Sequence, residues 1–188
     1  MRNLSNGIAG VTGLMVLLGA LAATPNTIYG KNETTQGIAV AEPDLGSCQI
    51  LQVEEGNKVS SVLYAEGVQI YRWDGASWTF VVPEAVLFAD AGGNGEVGTH
   101  YGGPTWESAS GSKVVGRVVD RCTPDPSAIA WLLLEAVYTE GPGMFDRVTF
   151  IQRVNTVGGL APTDPGAFPG EVKRVPYTAE YVFYRAHR

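Results

Sequence analysis

From Cys48 onward the chain is cut into short β-branched and aromatic runs by Gly, Pro, Asp and Asn, at intervals of about 8 to 12 residues. That rhythm leaves little room for helices and predicts an all-β fold. The candidate strands are residues 50–53, 59–64, 68–73, 78–82, 85–89, 97–101, 113–120, 129–139, 147–155 and 177–185. Ten short strands suit a single-domain antiparallel β-sandwich or barrel. Residues 130–137, Ala-Trp-Leu-Leu-Leu-Glu-Ala-Val, also have helix-forming composition. The Gly-Pro turn after them leads into the β-rich run Arg147-Val148-Thr149-Phe150-Ile151, which favours a buried strand. Trp73 and Trp78 bracket Asp74-Gly75-Ala76-Ser77 and should face each other across a hairpin.

Ahead of this region the chain changes character. Arg2 is the only charge before Lys31, and residues 8–23 form an apolar stretch ending in Ala20-Leu21-Ala22-Ala23. This is the pattern of a secretory signal peptide cleaved near Ala23 or Thr24. Gly10, Thr12, Gly13 and Gly19 dilute the stretch, which is short for a membrane-spanning helix. The expected organisation is a signal peptide at 1–23, a flexible lead-in at 24–46 and one β domain at 47–188, secreted or periplasmic, with no stable membrane span after cleavage. Asn32-Glu33-Thr34 matches a glycosylation sequon, a pattern common by chance. The only two cysteines, Cys48 and Cys122, should pair as a disulfide in an oxidising compartment.

Charge and metal-ligand inventory exclude several functions. Lys+Arg 13 against Asp+Glu 19 gives a net charge of −6, with no basic run to neutralise phosphates, so nucleic acid is not a partner. Two cysteines without C-x-x-C spacing make neither a structural zinc site nor a thioredoxin-like centre. No metal and no cofactor are implied. Gly93-Asn94-Gly95-Glu96-Val97-Gly98 fits G-x-G-x-x-G, yet Thr99 to Pro104 cannot continue as the helix that fingerprint needs. A glycine-rich hairpin turn is the better reading. The serines near His100 lack a G-x-S-x-G context, and the carboxylates lack calcium-loop spacing.

The densest chemistry is Gly98-Thr99-His100-Tyr101-Gly102-Gly103-Pro104-Thr105-Trp106-Glu107. A four-residue turn over 102–105 would set His100 opposite Glu107, and the carboxylate would orient the imidazole and raise its pKa, as a general acid or base needs. The alternative is a pair that merely ties two strands together. Tyr71, Tyr101 and Trp106 are candidate ligand-binding aromatics, since flat rings bury area with little entropy loss.

Five segments carry a family resemblance: Gly67-Val68-Gln69-Ile70-Tyr71, the stretch from Gly98 to Glu107, Gly111-Ser112-Lys113-Val114-Val115-Gly116, Ala130-Trp131-Leu132-Leu133-Leu134, and Ile151-Gln152-Arg153-Val154-Asn155-Thr156-Val157-Gly158-Gly159. In this order they resemble the domain of unknown function 3455 family, exported proteins of bacteria and fungi. The resemblance implies a single fold and export, and no activity. Relatives often carry one cysteine at the Trp73 position and another after Ala161-Pro162, both missing here. The functional expectation is an exported β domain that binds a small ligand or a cell-surface partner. Its rivals are a proton-transfer enzyme, isomerase or hydrolase, using His100 and Glu107, and an envelope or matrix structural protein.

Overall fold

The structure is a computed structural model that describes residues 41–187; the signal-like stretch and the Asn32 sequon lie outside the described residues. Eight antiparallel strands close into a barrel in simple up-and-down order: β1 Asn57–Trp73, β2 Trp78–Phe88, β3 Glu96–Tyr101, β4 Thr105–Ser108, β5 Lys113–Cys122, β6 Trp131–Glu140, β7 Val148–Gly158 and β8 Val172–Ala186. β8 pairs back onto β1 along almost its whole length. Closure removes free edge strands, leaving unpaired only the parts of β2 and β5 that extend past the short strands β3 and β4, and a barrel is one of the two architectures the strand rhythm allowed.

Ten expected strands become eight for identifiable reasons. Residues 59–64 and 68–73 are one strand, because Gly67 does not break β1. A Cβ there would lie 2.2 Å from the Glu84 carbonyl oxygen, so glycine permits the close approach of β2. Residues 78–82 and 85–89 likewise merge through Pro83. Here β2 pairs with β1, but its pairing to β3 begins only at Ala85, so the missing N–H sits in an edge environment. Residues 50–53 are not a strand; Gln49–Leu51 form a 3₁₀ turn. The short strand β4 was not anticipated, being four residues of polar and aromatic character. All of residues 130–137 but Ala130 fall in β6, as the β-rich partner predicted. Gly93 and Gly95 both lie in the β2–β3 connection at positive φ (72° and 67°), the turn conformation glycine adopts freely.

Alternation along the strands separates two buried layers. Leu63, Ala65, Leu87, Trp106, Val114, Leu134, Ile151, Tyr181 and Phe183 fill the barrel interior. On the outer wall, Leu45, Cys48 and Leu51 pack on Leu133, Val154, Val182 and Tyr184. Leu45, Cys48 and Leu51 thus belong to this outer layer. Cys48 and Cys122 form the expected disulfide, pinning this N-terminal segment to the end of β5. In the chain-entropy view a loop of that length is worth about 4 kcal/mol. The Gln152 amide nitrogen donates to the Leu51 carbonyl (2.7 Å), and the Tyr184 hydroxyl donates to Gln152 Oε1 (2.7 Å).

The two ends of the barrel differ. At one end the β6–β7 connection drives Phe145, fully buried, against Phe183 with ring centroids 4.8 Å apart. Its backbone N–H donates to Ser112 Oγ at 3.2 Å, closing this end as a plug. At the other end Trp73 and Trp78 face each other across their hairpin, as expected, with ring centroids 5.4 Å apart and planes tilted by 57°. The indole of Trp78 donates to the Asp164 carbonyl (2.8 Å), and Trp73 packs on Gly166, tying the β7–β8 loop to this hairpin.

Candidate ligand cavity

β3 and β4 are the shortest strands, and their hairpin reaches only part of the way up the wall. β2 meets β3 only over residues 85–88, and β5 meets β4 only over 113–115. The upper halves of β2 and β5 thus face each other across a notch, with the Gly102–Pro104 turn as its sill. A cavity of about 200 Å³ opens there into the barrel. Phe80, Val81 and Pro83 flank it from β2, Val118 and Leu132 from β5 and β6. Phe80, Val81 and Val118 are correspondingly exposed for large apolar side chains.

The hairpin register decides which side chains reach this space. Tyr101 pairs with Thr105 and His100 with Trp106, around a three-residue turn rather than the expected four. A slip of one residue reverses faces. His100 and Trp106 therefore point into the barrel, while Tyr101 and Glu107 belong to the outer surface. The expected His100–Glu107 pair does not form. Glu107 instead accepts from the Tyr101 hydroxyl at 2.6 Å and faces Lys113 Nζ at 3.7 Å. That carboxylate raises the Tyr101 pKa by its hydrogen bond and raises that of Lys113 by its charge.

His100 is 3% exposed. Burial pushes its pKa down to about 3, partly offset by the bond to the Thr105 carbonyl and reinforced by the positive charge of Arg153. The expected upward shift is thus reversed, because desolvation acts where no carboxylate compensates. Nδ1 lies 2.8 Å from the Thr105 carbonyl oxygen. A carbonyl only accepts, so Nδ1 carries the proton and Nε2 keeps its lone pair. The imidazole stacks on Trp106 at 4.4 Å and meets Tyr181 at 5.0 Å. Room for these rings comes from their own register row, where His100 is followed across the sheet by Ala85 and Gly67.

Two buried N–H groups beside the cavity lack partners: Trp106 Nε1, on a residue 1% exposed, and Gln69 Nε2, on a residue 3% exposed. Arg153 lines the same space. Its Nε and Nη2 both donate to the Ala130 carbonyl, at 3.1 and 2.7 Å. Gln69, Arg153, Tyr181 and Leu132 were not singled out from the sequence. The available signal was a polar residue in phase with inward apolar ones: Gln69 with Leu63 and Ala65, Arg153 with Ile151. Of the anticipated aromatics, Trp106 lines the cavity. Tyr71 sits near the same end, donating its hydroxyl to the Gly159 carbonyl at 2.7 Å, with its ring edge-on to Phe80 at 5.8 Å. Tyr101 is outside. Among the described residues no three His, Cys, Asp or Glu side chains gather as metal ligands would.

Fold and site define a class: a closed eight-stranded up-and-down barrel with a side-opening, polar-based cavity in one half. The chain belongs to the family described as Protein of unknown function (DUF3455), which it matches over residues 54–185. The match spans the whole barrel from just before β1 to the end of β8. Neither the curated proteins nor the solved structures give a match.

Proposed function

We propose that this protein is an exported barrel that binds a small molecule in the notch-fed cavity. The carrying observation is the pair of unpartnered N–H groups, Trp106 Nε1 and Gln69 Nε2, buried beside a cavity with apolar walls. An unsatisfied buried donor costs about 1–3 kcal/mol, a cost that a ligand acceptor or bridging water relieves. An apolar cavity of about 150 Å³ holds benzene, so about 200 Å³ suits a compound of roughly ten heavy atoms. Binding is favoured over proton transfer because an imidazole with a pKa near 3 is far from the range where acid–base catalysis is efficient. Export is supported by the disulfide and by the signal-like residues 8–23. N-terminal sequencing of mature protein should begin near Ala23 or Thr24.

A fragment screen read by the four tryptophan indole N–H signals tests the binding reading. Compounds that enter the cavity should move the Trp106 signal and spare Trp73, Trp78 and Trp131. Hits confined to Trp73 and Trp78, at the hairpin tip, would favour a surface partner instead.

A further inference from the structure

The formal charge lining the cavity has one sign. Arg153 is the only formally charged side chain lining it, since His100 is held neutral. Among the described residues no carboxylate lies within ion-pair distance of its guanidinium. A partly buried cation without a counter-charge is unfavourable unless something supplies one.

The way Arg153 is held points further. Both bonds to Ala130 use one edge of the guanidinium, Nε and Nη2. That anchor fixes the plane and leaves the other edge, Nη1 with the second proton of Nη2, with the Tyr181 hydroxyl as its one neighbour of hydrogen-bonding character among the described residues. Such an edge matches the two oxygens of a carboxylate. The Trp106 indole N–H and the Gln69 amide N–H add unpartnered donors, which call for an acceptor. Beside Arg153 its cross-strand neighbour Leu132, and further round the lining Leu134, Val118 and Phe80, offer only apolar surface.

Resting on the small-molecule reading above, we infer that the ligand is a compact organic acid, its carboxylate held by the Nη1 edge of Arg153 and its apolar body against the Leu132–Val118 wall. The acid enters as the anion, and the guanidinium gains the counter-ion the fold does not provide. A basic or zwitterionic compound would set a second positive charge beside Arg153 in a partly desolvated site.

Three probes of nearly equal size separate the possibilities: benzoate, its neutral isostere benzamide, and toluene, titrated into the full-length mature protein at neutral pH with the Trp106 indole signal as readout. Benzoate is expected to bind at least about tenfold more tightly than benzamide, as a charge-assisted bidentate contact requires. Arg153→Gln should bring the two within about twofold. If that variant does not fold, Arg153→Lys should reduce the preference several-fold by losing the planar fork; the wild-type ranking needs no variant. Benzamide or toluene binding as well as benzoate would overturn the acid while leaving a small-molecule cavity. A benzoate preference unchanged in the Arg153 variant would overturn the role given to that residue. If none of the three moves the Trp106 signal, both the acid and the cavity reading fail.

Discussion

The two halves of the barrel interior are built from the same strands and differ in how they end. Around Phe145 and Phe183 the space is filled by the rings themselves; Ser112 Oγ accepts from the Phe145 N–H and lies 2.9 Å from Ser108 Oγ, while Ser61 Oγ, opposite Phe183, and Arg185 Nε are left without partners. Around Trp106, His100 and Arg153 a cavity remains, with two donors unpartnered and one charge uncompensated. A chain that fills one half with aromatic packing has the means to fill the other. On the binding reading proposed above, the first half is the foundation and the second the place where stability is given up for recognition.

The largest expected effect strikes the foundation. Phe145→Ala should cost about 3–5 kcal/mol in chemical denaturation, the range for truncating a buried aromatic, while leaving cavity binding intact in the protein that remains folded. Comparable ligand loss at equal stability would erase the distinction between the halves.

Next comes acid sensitivity of the cavity half. His100 has a folded pKa near 3, below the unfolded reference of about 6.5, so the unfolded chain binds the extra proton between those values. Stability therefore falls as pH drops below 6.5, by about 2 kcal/mol between pH 7 and pH 5. The groups packed on the ring, Trp106, Tyr181 and Arg153, offer no anion to offset the charge. Midpoints of urea unfolding measured against pH should show this slope, and His100→Asn, which can still donate to Thr105, should flatten it above pH 5.

A smaller effect of opposite sign is expected at Gln69. Replacing its unpartnered amide by Leu should raise stability by about 1 kcal/mol and weaken retention of a cavity ligand. A loss of stability would mean that the amide is satisfied in the folded protein. The smallest effect belongs to Glu107→Gln, on the outer face, with a change under about 0.5 kcal/mol in thermal unfolding and no movement of the His100 titration.

How much of this was legible follows from two residues. The all-β class and the disulfide could be read because turn residues and a pair of cysteines act locally. Gly67 misled because the same glycine that ends strands elsewhere here lets two strands approach, a fact about β2 rather than about β1. At the β3–β4 hairpin the right residues drew attention, but a turn of three rather than four residues exchanged the faces. His100 lost its carboxylate partner, and with it the raised pKa. Arg153 was not legible, because its meaning depends on the absence of an acid across the barrel, which no local pattern encodes.

Native mass spectrometry of the protein secreted by its own source tests the central claim most directly. Wild-type protein should carry a noncovalent adduct of an organic acid below about 200 Da, the size the cavity admits. In Leu132→Trp, whose ring would fill the space from a partly buried position, the adduct should be absent. An adduct of equal occupancy in both proteins, or a wild-type chain that is bare while its Trp106 signal ignores every added acid, would contradict a cavity built for binding.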